Sequence, residues 1–254
     1  MKTMIEGKHI VKTFGKAGEK VTALADVDIA VMEGEFVAVM GASGSGKSTL
    51  LYSISGMDDI DSGSVLFDEK ELSGLGENEL SDLRRTKMGF VFQQPTMLKN
   101  LNLLDNIILP CVGDNRKNRD ALVDKAKSLM EKTGIAGLES RDITEISGGQ
   151  LQRAGICRAL MGNPKVLFGD EPTGALNSAA SDEIMEILLE INADGTTIML
   201  VTHDPKIAAA AEKTLFMRDG KIEAELRLPK YNGADFDGRI NRVSEKMLEI
   251  GVSR

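Results

Sequence analysis

The run Gly41-Ala42-Ser43-Gly44-Ser45-Gly46-Lys47-Ser48-Thr49 combines glycines, one lysine and several hydroxyl side chains at the spacing G-x-x-x-x-G-K-[ST]. Glycines let consecutive backbone N–H groups turn inward around phosphate oxygens, and a helix starting at the end of the loop adds favourable potential for an anion. Lys47 is placed to neutralise β- and γ-phosphates, and the Ser48 hydroxyl to ligate Mg²⁺. Further on, Asp170 and Glu171 end an apolar run as adjacent carboxylates. One can hold Mg²⁺ through water, and the next, Glu171, can aim at a water attacking a γ-phosphate as general base. His203, in Thr202-His203-Asp204, follows another apolar run, where an imidazole can donate to a γ-phosphate and sense its loss.

These groups converge only if apolar strands deliver them to one edge of a sheet. Residues 36–40 form such a run before the glycine loop, and residues 166–168 and 197–201 stand before the acid pair and the histidine. With residues 89–92 they are separated by helix-patterned stretches, so parallel strands joined by crossover helices are expected, an α/β core with ligands at the carboxyl ends of the strands. Short β-rich segments at 5–14 and 21–31 precede it. Between 95 and 141 the strand signal vanishes, and Leu122, Ala126, Leu129 and Met130 recur at helical spacing, which predicts a helical lobe. The tail from 229 opens with polar YNGADFDGR, and the spacing of Val243, Met247 and Leu248 predicts a short closing helix.

The chain has 254 residues, 42% of them hydrophobic, and a net charge of −8. That balance supplies no basic field to hold nucleic acid or an anionic lipid surface. Residues 1–14 contain no apolar stretch of signal-peptide length, and no run of 18 apolar residues occurs, so the chain is expected to stay cytoplasmic. Cys111 and Cys157 lie far apart with no Cys-x-x-Cys pair, and are expected to be buried thiols.

A second anion-ready helix start lies at Ile146-Ser147-Gly148-Gly149-Gln150, where Ser147 suits an N-cap and two glycines expose backbone donors. ISGGQ followed by LQRAGICRAL resembles the signature motif of ABC-family ATPases, with Ile where the commonest form begins with Leu. The resemblance implies a P-loop NTPase fold: a RecA-like core, an N-terminal antiparallel β subdomain and a helical signature subdomain at about 95–160, within a cassette of residues 1–228 and a tail of 229–254. It implies ATP and Mg²⁺ as cofactors. It also implies a second copy packed head to tail, with Ser147, Gly148, Gly149 and Gln150 of one subunit closing on the γ-phosphate held by residues 41–49 of the other.

Other family elements are matched by position. Phe90-Val91-Phe92-Gln93 resembles the Q-loop, which implies that Gln93 reaches Mg²⁺ and the attacking water. Phe14 resembles the aromatic that stacks on adenine, a place often filled by Tyr. Gly174-Ala175-Leu176-Asn177 resembles the D-loop, with Asn177 where Asp is commoner. The segment 94–110 carries more apolar residues than a solvent-facing lobe needs, as a groove receiving a permease helix would. STLLYSISGMDDIDSGSV, MGFVFQQPTMLKNLNLLDNIILP and GDEPTGALNS are similar to the macrolide-export and lipoprotein-release group, most of all to bacitracin-type resistance subunits. That implies an FtsX-like transmembrane permease, a sensor kinase reached through it, and a peripheral position on the inner face of the cell membrane. A low-turnover, ATP-dependent clamp or signalling adaptor is the alternative from another functional class.

Overall fold

The computed structural model describes residues 2–15, 20–113 and 118–251. The elements run β1 (Thr3–Phe14), β2 (Val21–Met32), β3 (Phe36–Gly41), α1 (Lys47–Ile54), β4 (Ser62–Phe67), β5 (Lys70–Glu71), α2 (Glu77–Lys87) and β6 (Met88–Phe92). They continue with α3 (Leu103–Val112), α4 (Arg119–Lys132), α5 (Gly148–Leu160), β7 (Val166–Asp170), α6 (Ser178–Ala193) and β8 (Thr197–Val201). The last are α7 (Pro205–Ala210), β9 (Lys213–Arg218), β10 (Lys221–Arg227) and α8 (Phe236–Glu249). This is an α/β fold with one antiparallel and one mixed sheet, divided into two compact units.

The first unit comprises Met1–Leu80 and Asn192–Arg254. Here β2, β1, β4 and β5 form an antiparallel sheet, with Ile5 opposite Val31 and Phe67. In the same unit β3 runs parallel to both β8 and β9, with Val39 beside Val201 and Leu215. Every residue of β3 and β8 is buried. Burial on both faces explains why these strands read as unbroken apolar runs without alternation. At the sheet margin β10 alternates buried-side and exposed positions, and its partner β9 brings Lys213 inward to Glu35 at 2.8 Å and Ala30 O at 2.6 Å. That pairing satisfies an ammonium that is almost fully buried, which would be costly alone.

The second unit is Ser81–Ile191. Its parallel pair β6 and β7 sets Phe92 beside Asp170. Helix α4 carries the spaced apolar residues: Leu122, Ala126 and Met130 are buried in one cluster with Ile107 of α3 and Ala154 of α5. Both cysteines are buried thiols; Cys157 Sγ lies 3.1 Å from Thr133 Oγ1, and burial pushes its pKa up to about 11.

The tail helix is longer than its apolar spacing suggests, and Leu248 is 76% exposed while Val243 and Met247 are buried. Its anchor is Arg239, whose guanidinium donates to Ala209 O at 2.5 Å, Pro229 O at 2.7 Å and Ala211 O at 2.8 Å. Carbonyls at the exit of α7 and at Pro229 satisfy the donors of that buried cation, a role no hydrophobic pattern advertises. Residues 252–254, at the end of the expected tail, lie outside the described residues.

Candidate functional site

Within the first unit, residues 41–49 leave β3 at its carboxyl end and turn directly into α1. Gly46 is the N-cap residue, at φ 100°, and no side chain caps the helix. Its backbone also passes so close to the Ala23 carbonyl oxygen that a Cβ would collide with it. Only glycine meets both demands. The loop is braced from outside, since Gly220 N donates to Ser45 O at 3.1 Å and Ala25 N to Gly220 O at 2.9 Å. Ala42, Ser43 and Gly44 form its exposed crown.

Lys47 is buried, and its ammonium donates to Gly41 O and Ala42 O, each at 2.9 Å, so the charge is held over the loop. Ser45 Oγ is buried without a hydrogen-bond partner, an orphan of the kind an anion in the loop would satisfy. Uncapped helix N–H groups, a cation and an orphaned hydroxyl fit a phosphate chain. Ser48 and Thr49 lie half-buried on the first turn of α1.

His203 follows β8, the strand paired with β3, and Thr202 N donates to Val39 O at 3.0 Å. The histidine and the loop therefore leave neighbouring parallel strands at the same edge. Asp204 caps α7 by accepting from Lys206 N at 2.8 Å, which fixes the turn that carries His203. Phe14 ends β1 with 45% of its surface exposed, and Lys12 Nζ lies 5.2 Å from its ring centroid. An exposed ring with a cation on it is a ready stacking platform. His9, which the sequence leaves without a role, is on the surface, 2.9 Å from Asp26.

Within the second unit the register of β6 and β7 makes Gln93 and Glu171 successors of paired residues. Glu171 has φ 47°, the left-handed region, although it is not glycine and precedes Pro172. Strain of this kind costs about 1–3 kcal/mol and gathers at functional positions. A methyl group on Gly174 would stand 2.9 Å from Gln93 Nε2 and 3.2 Å from Glu171 Oε2, so the bare glycine leaves room for the amide and the carboxylate beside it. Sequence patterns reveal neither the backbone turn at Glu171 nor this use of Gly174.

Ser48 in the first unit, and Gln93 and Asp170 in the second, each carry the hard oxygen donors that suit Mg²⁺. Among the described residues no three His, Cys, Asp or Glu side chains gather into a metal cluster.

The signature helix α5 starts as a capping box: Gln150 N donates to Ser147 Oγ at 3.3 Å, and Ser147 N to Gln150 Oε1 at 3.1 Å. Ser147 and Gly148 are exposed, and Gly149 sits against Ala180 of α6. Asn177 Oδ1 accepts from Ala180 N at 2.9 Å, capping α6, a task that Asn performs as well as Asp.

The model of a known family, the ABC transporters, matches residues 24–174. The macrolide export ATP-binding/permease protein MacB of Neisseria meningitidis is 42% identical over 222 residues, covering 87% of this chain and 34% of that protein. A probable syringafactin export ATP-binding/permease protein, SyfD, of Pseudomonas syringae is 42% identical over 227 residues, 88% of this chain and 34% of that one. The chain thus spans about a third of the length of these relatives. Among solved structures, the dimeric ATP-binding cassette MJ0796, in a post-hydrolysis state bound to ADP and Pi, superposes with a TM-score of 0.83 at 36% identity. That alignment covers 90% of this chain and all of the other. The ADP conformation of MJ1267, an ATP-binding cassette of an ABC transporter, gives 0.82 at 28% identity, with both chains fully covered.

Proposed function

We propose the following from the premise that this chain belongs to the ABC transporter family: it binds ATP with Mg²⁺ on residues 41–49, hydrolyses it, and drives a permease whose cargo it does not touch. The observation that supports hydrolysis is the approach of both Gln93 Nε2 and the Glu171 carboxylate to the bare Gly174, with Glu171 in a left-handed turn. In this reading Lys47 and the loop N–H groups bind the phosphates, while Ser48, Gln93 and Asp170 hold the cation. Glu171 takes the proton of the attacking water, and His203 donates to the γ-phosphate. Phe14 stacks on adenine.

Two copies sandwich two nucleotides, the Ser147–Gln150 turn of each, exposed at Ser147 and Gly148, facing the phosphates on its partner; the capping box leaves the Gly148 and Gly149 N–H groups for that contact. Residues 1–228 act as the cassette, with a helical subdomain at about 95–160, and 229–254 as a tail. No helix among the described residues is long and apolar enough to cross a membrane, so attachment to the inner face runs through the permease. Leu98 and Leu109, each more than 40% exposed on the segment following Gln93, supply apolar surface for it.

The permease is of the FtsX type and its cargo an antimicrobial peptide of the bacitracin class, with a sensor kinase reading the permease; the wording of residues 48–65 and 88–110 supports this. Macrolide export is the second reading, favoured by 42% identity to MacB. The equal identity to MacB and SyfD argues that cargo choice lies outside the cassette. Steady-state ATPase assays on purified protein test the core of the reading, with Glu171→Gln lowering kcat about 10²–10³-fold. Glu171→Gln is also expected to elute as a dimer at saturating ATP. A monomer there contradicts the sandwich, and absent turnover in the wild type, with its permease present, leaves the clamp.

A further inference from the structure

One face of α5 touches the Gln93 segment at three places. Gln152, 1% exposed, donates through Nε2 to Phe92 O at 2.9 Å. Three residues on, Gly155 leaves room for Pro95, whose Cβ would stand 3.2 Å from a methyl group there. Three further on, Arg158 Nη1 donates to Thr96 O at 2.6 Å. Spacing of three keeps all of these on one side of the helix. From the other direction the fully buried Asn106 of α3 accepts from Leu98 N at 2.7 Å and donates to Leu98 O at 3.1 Å.

Gln93 and Gln94, both exposed, therefore stand on a two-residue span fixed at its ends by the helix that begins with Ser147. A buried amide on a main-chain carbonyl sets where the next side chain starts, because Phe92 O and Gln93 N belong to one peptide plane. We propose that Gln152 is a positioning residue for hydrolysis: it holds the Phe92–Gln93 peptide on α5, so that the Gln93 amide and the Ser147 helix start move as one body.

This rests on the ATPase reading above and on Gln93 acting in it. Gln152→Met keeps the volume and removes the donor. In steady-state and single-turnover ATPase assays it lowers kcat about tenfold and changes KM for ATP less than twofold, since phosphate binding lies on residues 41–49. In a Gln93→Ala background the same substitution changes kcat less than twofold, because its effect passes through the missing amide. Gly155→Ala, a milder displacement of Pro95, lowers kcat about threefold with the same dependence on Gln93, and serves if Gln152→Met does not fold. Equal losses with and without Gln93, a rise in KM alone, or wild-type turnover in folded Gln152→Met overturns the proposal. A wild type without turnover overturns the ATPase reading and this inference with it.

Discussion

The glycine loop and the acid-pair edge, which the proposed function assigns to one reaction, are built from opposite materials. Residues 41–49 are made of main chain: peptide groups turned by glycine, braced by other peptide groups at Gly220 and Ala25, with carbonyls receiving the lysine. The edge carrying Gln93 and Glu171 depends on side chains and on one strained residue, supported by the buried amides of Gln152 and Asn106. Phosphate has the same shape in every turnover, so a fixed backbone cradle suits it. Attack by water needs groups that can be re-aimed, and side chains on short tethers supply that.

If the contrast is right, a backbone change breaks the first region and subtler changes tune the second. Gly46→Ala is expected to act most strongly. Its methyl group meets the Ala23 carbonyl at φ 100°, which costs roughly 3 kcal/mol in chemical denaturation and removes nucleotide binding by calorimetry. Retained binding would show that the loop does not need its main-chain geometry.

The second region's packing answers to alkali through Cys157. Its folded pKa, raised from 9.0 to about 11 by burial, means that the neutral thiol is favoured in the native state. This contribution is complete below pH 9 and fades as pH climbs through 11, by roughly 3 kcal/mol, and Cys157→Ala loses that slope in denaturation curves. Next is Gly174→Ala, which presses on both Gln93 and Glu171. It lowers kcat about tenfold with an unchanged melting temperature and ATP affinity, a split that sharpens the contrast with Gly46. Smallest is Ser147→Ala, which removes the capping box for about 1 kcal/mol of thermal stability.

How much of this was legible beforehand follows the same division. The strands at 36–40, 166–168 and 197–201 appear as predicted because burial on both faces demands unbroken apolar runs, and two-sided burial is written directly in composition. The glycine loop and the Ser147 cap were equally plain, since local backbone geometry restricts residue type within a few positions. The turn at Glu171 was not, because a left-handed glutamate is imposed by its surroundings against its own preference. Arg239 was hidden for a related reason: a charged side chain in a polar-looking tail is buried here by carbonyls about 30 residues away in sequence.

The sequence by itself determined the glycine loop, the helix caps and the order in which the acid pair and the histidine leave their strands, because periodicity, capping and glycine spacing are short-range constraints. Only the tertiary structure decided that Gln93 and Glu171 both pack beside Gly174 and that α5 grips the Phe92 carbonyl. Those contacts join residues some 60 to 80 positions apart, and such proximity follows from strand register and helix packing, which no local pattern encodes.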